Sequence, residues 1–216
     1  RGTALADATV KSVSISVSVV RVAANTTYAN LIASQNAYMD VTGTASAVGA
    51  ITISSVFDMD ANHGAQATTG SPDGASLSIV SGQVSRAIAK ASLTNKAYLA
   101  GIGTISGGNI SLTADAETRA VADANSSMSL SVIGVGSLYA EAYTQDDIEA
   151  YIGSNTTVNA SGDLTITASG DTTADASCDT PGSVSLADVS GARVNASVGT
   201  TASRQTVKAY IGSGAV

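Results

Sequence analysis

The chain has little of what an ordinary globular core is built from. Of its 216 residues only 4% are aromatic, with no Trp and one Phe, and 12% are charged, where an ordinary domain carries about 25% charged residues. Cysteine occurs once, so no disulfide can form within the chain. No apolar run approaches the roughly 18 residues of a membrane-spanning helix. These absences exclude a disulfide-rich scaffold and a helical membrane span.

What the chain has is Ala, Val, Ser, Thr and Gly in an alternating pattern. The apolar fraction is 44% and the mean hydropathy is +0.22. Disordered tracts are less hydrophobic and do not need period-two alternation, so disorder is set aside. β-Branched residues are frequent and no long apolar stripe of helical period is present. We therefore expect an all-β protein with almost no helix.

A repeat of 53 to 60 residues organises the whole sequence. It is marked by the pairs Ala37-Tyr38, Ala97-Tyr98, Ala150-Tyr151 and Ala209-Tyr210. Such a period is typical of an array in which one supersecondary unit stacks on copies of itself. We predict a single continuous segment over residues 1–216, with a partial repeat at 1–36, repeats at 37–96, 97–149 and 150–208, and the start of another at 209–216.

Strand alternation predicts which way the Ala-Tyr pairs point. In a strand, successive side chains face opposite sides, so the Ala and its aliphatic neighbours face the core and the Tyr faces solvent. Tyr38, Tyr98, Tyr151 and Tyr210 are therefore candidate surface-contact residues.

Short strands joined by Gly, Asn and Asp turns predict a parallel β-helix, or β-solenoid. With strands of 4 to 8 residues, each repeat would supply about three coils of roughly 20 residues, giving 10 or 11 coils and a rod about 50 Å long. The tyrosines would then lie about 14 Å apart, too far to stack on one another. The alternative is an array of β-sandwich modules of about 55 residues, which is small for that fold.

The charge balance is acidic. The net charge is −7, the pI is near 4.4 and the basic residues are scattered, which argues against a nucleic-acid partner. Asp58, Asp60 and Asn62 have a spacing that places oxygen ligands on one side of a turn, as a Ca²⁺ site requires. The full calcium-loop pattern is missing, because Gly64 comes one position late and Thr69 stands where a bidentate Glu is needed. A solvated turn is the other interpretation.

Other candidate sites are weaker. Asp171, Asp175 and Asp179 recur every four residues and could share one face of a strand as metal ligands. The segment 145–149 could present paired carboxylates, as polysaccharide-cleaving enzymes do, but aromatic platforms for a sugar are scarce. The chain has one His, His63, but no Ser lies in the Gly-x-Ser-x-Gly context of a nucleophile elbow. The glycines at 101–103 and 134–136 are interpreted as strand-to-turn positions, because neither opens a helix that could bind phosphate. We expect no enzymatic activity and no cofactor other than the candidate Ca²⁺.

The segment 150–168, Ala-Tyr-Ile-Gly-Ser-Asn-Thr-Thr-Val-Asn-Ala-Ser-Gly-Asp-Leu-Thr-Ile-Thr-Ala, resembles the repeats of filamentous-haemagglutinin-like adhesins and other giant bacterial surface proteins. A Ser-Val-alternating strand follows it, as in those repeats, and the resemblance extends over essentially the whole chain. It implies a secreted, right-handed parallel β-helix that serves as an adhesive or structural stalk, exported by an outer-membrane partner or as an autotransporter passenger. The chain has no start Met or apolar leader, so we expect a mature product or a fragment of a longer chain.

These observations predict a non-enzymatic extracellular protein, the rigid repeat stalk of a large cell-surface adhesin that contacts a host or matrix surface. The alternative is a self-assembling extracellular filament or sheath subunit, joined to copies of itself end to end or laterally, because an uncapped solenoid exposes unpaired strand edges. A polysaccharide-cleaving β-helix enzyme is the third interpretation.

Overall fold

The alternating sequence forms strands almost throughout. The computed structural model describes residues 2–10, 16–59, 64–69, 75–126, 128–179, 184–199 and 205–215, and these residues form strands and turns without any helix. The expected all-β class is confirmed. Within these ranges, no helix long and apolar enough to cross a membrane is found.

The strands form three parallel sheets. In chain order they are β1 (Gly2–Thr3), β2 (Leu5–Val10), β3 (Ser16–Asp40), β4 (Thr44–Ser46), β5 (Ile51–Asp58), β6 (Gly64–Thr69), β7 (Ala75–Ala100), β8 (Thr104–Gly107), β9 (Ile110–Asn125), β10 (Met128–Ile152), β11 (Thr157–Ala160), β12 (Leu164–Asp179), β13 (Val184–Val198) and β14 (Thr206–Ile211). Sheet 1 contains β1, β2, β5, β6, β9 and β12; sheet 2 contains β3, β7, β10, β13 and β14; sheet 3 contains β4, β8 and β11. Parallel stacking of this kind is what a β-solenoid requires.

Each strand pairs with the strand one whole repeat away. Tyr98 lies beside Tyr38 on one side and Tyr151 on the other, and Tyr151 lies beside Tyr210. A repeat therefore adds one layer to each sheet, as a single strand or as two consecutive strands such as β5 and β6, and the expected three coils per repeat do not match this register. The reason is strand length: β3, β7 and β10 have 25 or 26 residues instead of 4 to 8, so one layer consumes the whole repeat.

The core lies between sheets 1 and 2 and is built from small and aliphatic side chains. Along β9, every second residue from Ile110 to Ala124 is buried and the residues between them face outward. Across the core, β7 and β10 contribute Ala87, Ala97, Ala140 and Ala150, all of which are fully buried. Ala on both sides suits two sheets that pack closely, because a larger side chain would overfill the space.

Several polar side chains are also buried, and Asn95 and Asp146 are two of them. Asn95 is fully buried and donates to the backbone carbonyls of Ser55 (3.1 Å) and Asp115 (2.7 Å), while its own carbonyl accepts from the Ser55 hydroxyl. Asp146 is also buried and accepts a 2.8 Å hydrogen bond from the Thr172 hydroxyl. Burial raises the pKa of Asp146, and the bond from Thr172 only partly opposes that rise. Hydrogen bonds compensate for the burial of Asn95, whereas burial disfavours the charged form of Asp146.

The turn after β7 shows why Gly marks the corners. Gly101 has a φ of 101°, in the left-handed region, and a Cβ at this position would collide with the backbone carbonyl of Val41 in the adjacent layer. Only Gly allows both the conformation and the close approach. The sequence-based turn at residues 101–103 is therefore confirmed.

Candidate binding surface

All seven tyrosines of the chain lie on one surface. They are Tyr28 and Tyr38 on β3, Tyr98 on β7, Tyr139, Tyr143 and Tyr151 on β10, and Tyr210 on β14. Each points away from the core, because it alternates with inward-facing neighbours such as Ala29, Ala97 and Ala150. We call the outward side of sheet 2 over residues 26–40, 86–100, 139–152, 193–199 and 205–211 the tyrosine face.

Four of these tyrosines form a continuous stack. The ring centroids of Tyr38, Tyr98, Tyr151 and Tyr210 are 5.1, 5.0 and 5.0 Å apart in succession, with interplanar angles of 8°, 4° and 7°. The expected spacing of 14 Å without stacking is wrong, because the register places a Tyr in every layer, at the strand spacing of about 4.8 Å. Their predicted outward orientation is observed; their role in contacting a partner stays a prediction.

A second column on the tyrosine face combines arginine with tyrosine. Arg86, Tyr139 and Arg193 occupy equivalent positions in three successive layers. The guanidinium carbons of Arg86 and Arg193 lie 5.0 and 5.8 Å from the Tyr139 ring centroid, within cation–π range. The Tyr139 hydroxyl donates a 2.7 Å hydrogen bond to Glu141, which raises the pKa of Tyr139. This column is held in place before any partner binds.

An ion cluster lies next to the tyrosine stack. The Nζ atom of Lys96 is 2.8 Å from a carboxylate oxygen of Glu149 and 3.1 Å from one of Asp147, both in the next layer. Burial alone would lower the pKa of Lys96, but the two carboxylates outweigh it and the pKa is raised above its ordinary value. Lys96 is therefore charged at any physiological pH.

Two tyrosines of the stack have raised pKa values. Burial raises the pKa of Tyr151, and the neighbouring Tyr210 and Tyr98 raise it further. Burial likewise raises the pKa of Tyr210. Tyr151 and Tyr210 therefore present neutral phenols, whose hydroxyls can donate and accept hydrogen bonds and whose ring edges are apolar.

Sheet 1 presents a different outward surface, which we call the acidic face. Its described strands carry eight outward carboxylates and one base: Asp7, Asp58, Asp115, Glu117, Asp123, Asp171, Asp175 and Asp179, with Arg119. The strands of sheet 2 carry six bases and six acids: Arg21, Arg86, Lys90, Lys96, Arg193 and Lys208, with Asp40, Glu141, Asp146, Asp147, Glu149 and Asp188. Most of the excess acid of the chain therefore lies on the side opposite the tyrosines.

The candidate calcium ligands are only partly described. Asp58 ends β5 on the acidic face, while Asp60 and Asn62 lie outside the described residues, as does His63. No group of three or more His, Cys, Asp or Glu side chains arranged to hold a metal occurs in the described ranges. The Ca²⁺ site stays a prediction.

The fold keeps one of the other carboxylate groups on a single face and divides the second between the core and the surface. Asp171, Asp175 and Asp179 share the acidic face, as their spacing predicted. In segment 145–149, Asp146 points into the core, whereas Asp147 and Glu149 point outward and bind Lys96.

Sequence reasoning missed the Arg86–Tyr139–Arg193 column and the contacts of Lys96. Both follow from adding one repeat to a residue number, since 86 and 139 differ by 53, and 96 and 149 do as well. This offset predicts which residues are neighbours only when one repeat is known to form one layer.

The chain matches no protein-family model, and neither the curated proteins nor the solved structures contain a significant match.

Proposed function

We propose that this chain is a rigid repeat segment of a secreted, non-enzymatic adhesive protein, a right-handed parallel β-solenoid that binds a host or matrix surface through its tyrosine face. The observation that carries the proposal is the placement of all seven tyrosines on one side of one sheet. The resemblance of residues 150–168 to adhesin repeats supports the extracellular location and the stalk role.

Rigidity follows from the register. Every long strand of sheet 2 is hydrogen-bonded to its neighbour over most of its length, and the stacked rings of Tyr38, Tyr98, Tyr151 and Tyr210 fix the outer side of the same strands. A surface that is already ordered loses little conformational freedom when it binds, which favours affinity.

The composition of the tyrosine face is that of a binding surface. Tyr and Arg are the residues enriched at interfaces and at their energetic hot spots, since each offers a large flat contact with few rotatable bonds or a fixed fork of donors. On this face Arg86, Arg193 and Lys90 lie against Tyr139 and Tyr28. The acidic face has no tyrosine and keeps the protein soluble by its charge.

Adhesion of beads coated with the purified chain tests the proposal. The beads are allowed to settle on fibronectin-coated glass, collagen-coated glass and an epithelial cell layer, and retention under flow is measured. The variant Tyr98→Ser/Tyr151→Ser removes two central rings, and Thr113→Ser/Thr167→Ser makes two outward changes on the acidic face. We expect the tyrosine variant to lose retention several-fold on at least one surface, with the control unchanged and both variants folded by circular dichroism.

Equal retention of both variants on every surface would rule out the tyrosine face as the adhesive element. The alternative of a self-assembling filament is separated by negative-stain electron microscopy over a range of concentrations. Short dispersed particles at every concentration support a stalk segment, whereas long fibres that grow with concentration support the filament subunit.

A further inference from the structure

A strip of exposed aliphatic side chains crosses the other end of sheet 2. Seven side chains form it: Leu77, Leu130 and Val184 at one register position, and Val19, Ile79, Val132 and Leu186 two residues further along the same strands. They are between 45% and 88% exposed. We call this surface the aliphatic strip. Contiguous apolar surface of this kind is rare on soluble monomers and marks an interaction site.

The strip exists because the usual inward–outward pattern is reversed here. In the first part of β7 the even-numbered residue Ser78 is buried and its odd-numbered neighbours Leu77 and Ile79 are exposed. From Ser85 to Leu99, in contrast, the odd-numbered residues are buried. Between these two parts, near Gly82, the strand changes which side faces the core. Before the change, serines face inward and aliphatic side chains face outward, and the buried Ser78 hydroxyl has no hydrogen-bond partner.

The strip recurs in every layer. The Ser-aliphatic-Ser-aliphatic pattern that produces it starts at Ser76, Ser129 and Ser183. The inner layers, which have neighbours on both sides, still expose Leu77, Ile79, Leu130 and Val132. Their exposure is therefore a property of the repeat and not of an end of the stack.

We propose that the aliphatic strip is the surface through which two copies of this chain associate side by side. Seven aliphatic side chains that are 45% to 88% exposed present on the order of 600 Å² of surface, so two fully covered strips would bury at most about 1,200 Å², the lower end of stable interfaces. Association would also cover the side of the sheet that the reversed pattern leaves in water.

The axial period of the strip favours a second copy as the occupant. Aliphatic side chains recur along the stack at the strand spacing of about 4.8 Å, and a partner solenoid offers side chains at the same spacing. Two such sheets can interdigitate layer by layer in a dry contact, as paired sheets do. A two-fold arrangement makes the contact identical for both copies.

The charge distribution indicates the same surface. With a net charge of −7, two copies repel each other wherever acid faces acid, and most of the excess acid lies on the acidic face. The segments 18–20, 77–80, 130–133 and 184–187 carry no charged residue. The strip is therefore a surface on which two copies can meet without direct repulsion, and it is separate from the tyrosine face, so this inference does not depend on the adhesive role.

Sedimentation equilibrium of the full chain tests the proposal. The measurement covers about 1 to 200 µM protein in the presence of a reductant, because Cys178 is free. Two strip variants, Leu130→Lys and the milder Leu130→Ser, are compared with Ile32→Lys, which changes an exposed aliphatic residue on the tyrosine face. We expect wild type and Ile32→Lys to dimerise, and Leu130→Lys to dimerise at least about tenfold more weakly. Leu130→Ser should fall between them.

Thermal unfolding at several concentrations gives an independent readout. The melting temperature should rise with concentration for wild type and Ile32→Lys but much less for Leu130→Lys. A wild type that stays monomeric overturns the proposal, and so does a dimer that Ile32→Lys weakens as much as Leu130→Lys. Monomeric wild type that Leu130→Lys strongly destabilises would show that the strip is covered within one chain, and vesicle binding by a monomer would assign it to a lipid surface.

Discussion

The tyrosine face and the acidic face are built on the same layers with the same register, yet stacking has opposite consequences for them. The register places equivalent residues of successive repeats one strand spacing apart. Any attraction or repulsion between two such side chains therefore recurs from layer to layer. On the tyrosine face the recurring contact is ring against ring. On the acidic face it sets Glu117 beside Asp171, two carboxylates in neighbouring layers.

The acidic face reduces this repulsion by placing hydroxyls next to some of its acids. Ser169 donates a hydrogen bond to Asp115, and Ser177 donates one of 2.6 Å to Asp123, in each case from one layer to the next. Stacking therefore sets like rings against each other on the tyrosine face, whereas on the acidic face a serine lies beside Asp115 and another beside Asp123.

The largest effect should come from the core that both faces share. Leu112→Ala removes a fully buried side chain of β9 and should lower the free energy of unfolding by about 2–5 kcal/mol. Thr113→Ala, at the adjacent outward position, should change it by less than about 0.5 kcal/mol. Urea denaturation measures both, and similar losses would contradict the inward–outward assignment.

Removing one ring from the tyrosine stack should have the next largest effect. Tyr151→Ser ends the contacts with both Tyr98 and Tyr210 and should lower the free energy of unfolding by about 1–3 kcal/mol, since each aromatic pair contributes about 0.5–1.5 kcal/mol. Thr167→Ser, on the acidic face, is the matched control and should have almost no effect. Equal effects would mean that the stack does not stabilise the fold.

The pH dependence of stability should reveal Asp146. Because burial raises its pKa above the ordinary 3.8, the folded chain binds this proton more tightly than the unfolded chain does. Its contribution to stability is therefore lost as the pH rises through the folded-state pKa and is fully present below about 3.8. The stability of Asp146→Asn relative to wild type should grow as the pH rises above about 3.8 and through the folded-state pKa. A constant difference would mean that Asp146 titrates normally. Because the acidic face is the same in both proteins, its own contribution to the pH dependence cancels in this difference.

The smallest effects should have opposite signs on the two faces. Asp171→Asn relieves repulsion with Glu117 and should raise the free energy of unfolding by a few tenths of a kcal/mol. Asp147→Asn removes a contact with Lys96 and should lower it by roughly 0.2–1 kcal/mol, at the low end because both groups are partly exposed. The effects of both substitutions on the free energy of unfolding should be smaller in high salt, which screens the charges. Urea titrations at low and high salt measure them, and the same sign for both would break the contrast between the faces.

Local alternation allowed the orientation of side chains to be predicted, but not their neighbours in the next layer. Ala97 inward and Tyr98 outward follow from the strand period alone. The neighbour of Tyr98, however, lies 53 or 60 residues away, and no local pattern specifies it. Gly134 and Gly136 were interpreted as strand ends, yet both lie inside β10, because Gly can continue an extended backbone. When such glycines are taken as turn positions, the predicted strands become shorter and the number of coils per repeat rises.

The candidate surface was predictable to the same extent. The four tyrosines of the stack were identified from their repetition, while the Arg86–Tyr139–Arg193 column required the register. Recurrence of one residue type at matched positions was the available signal, since stacking at strand spacing is what favours it.

The most direct test of one repeat per layer is a disulfide between neighbouring layers. In a Cys178→Ser background, Thr113→Cys and Thr167→Cys place thiols at paired positions of β9 and β12, where the spacing of about 4.8 Å fits the Cα separation that a disulfide needs. Thr113→Cys with Thr173→Cys, about 20 Å apart, is the control. The one-layer repeat predicts cross-linking of the first pair only, seen by non-reducing peptide mapping. No cross-link in the first pair, as three coils per repeat would give, contradicts the account.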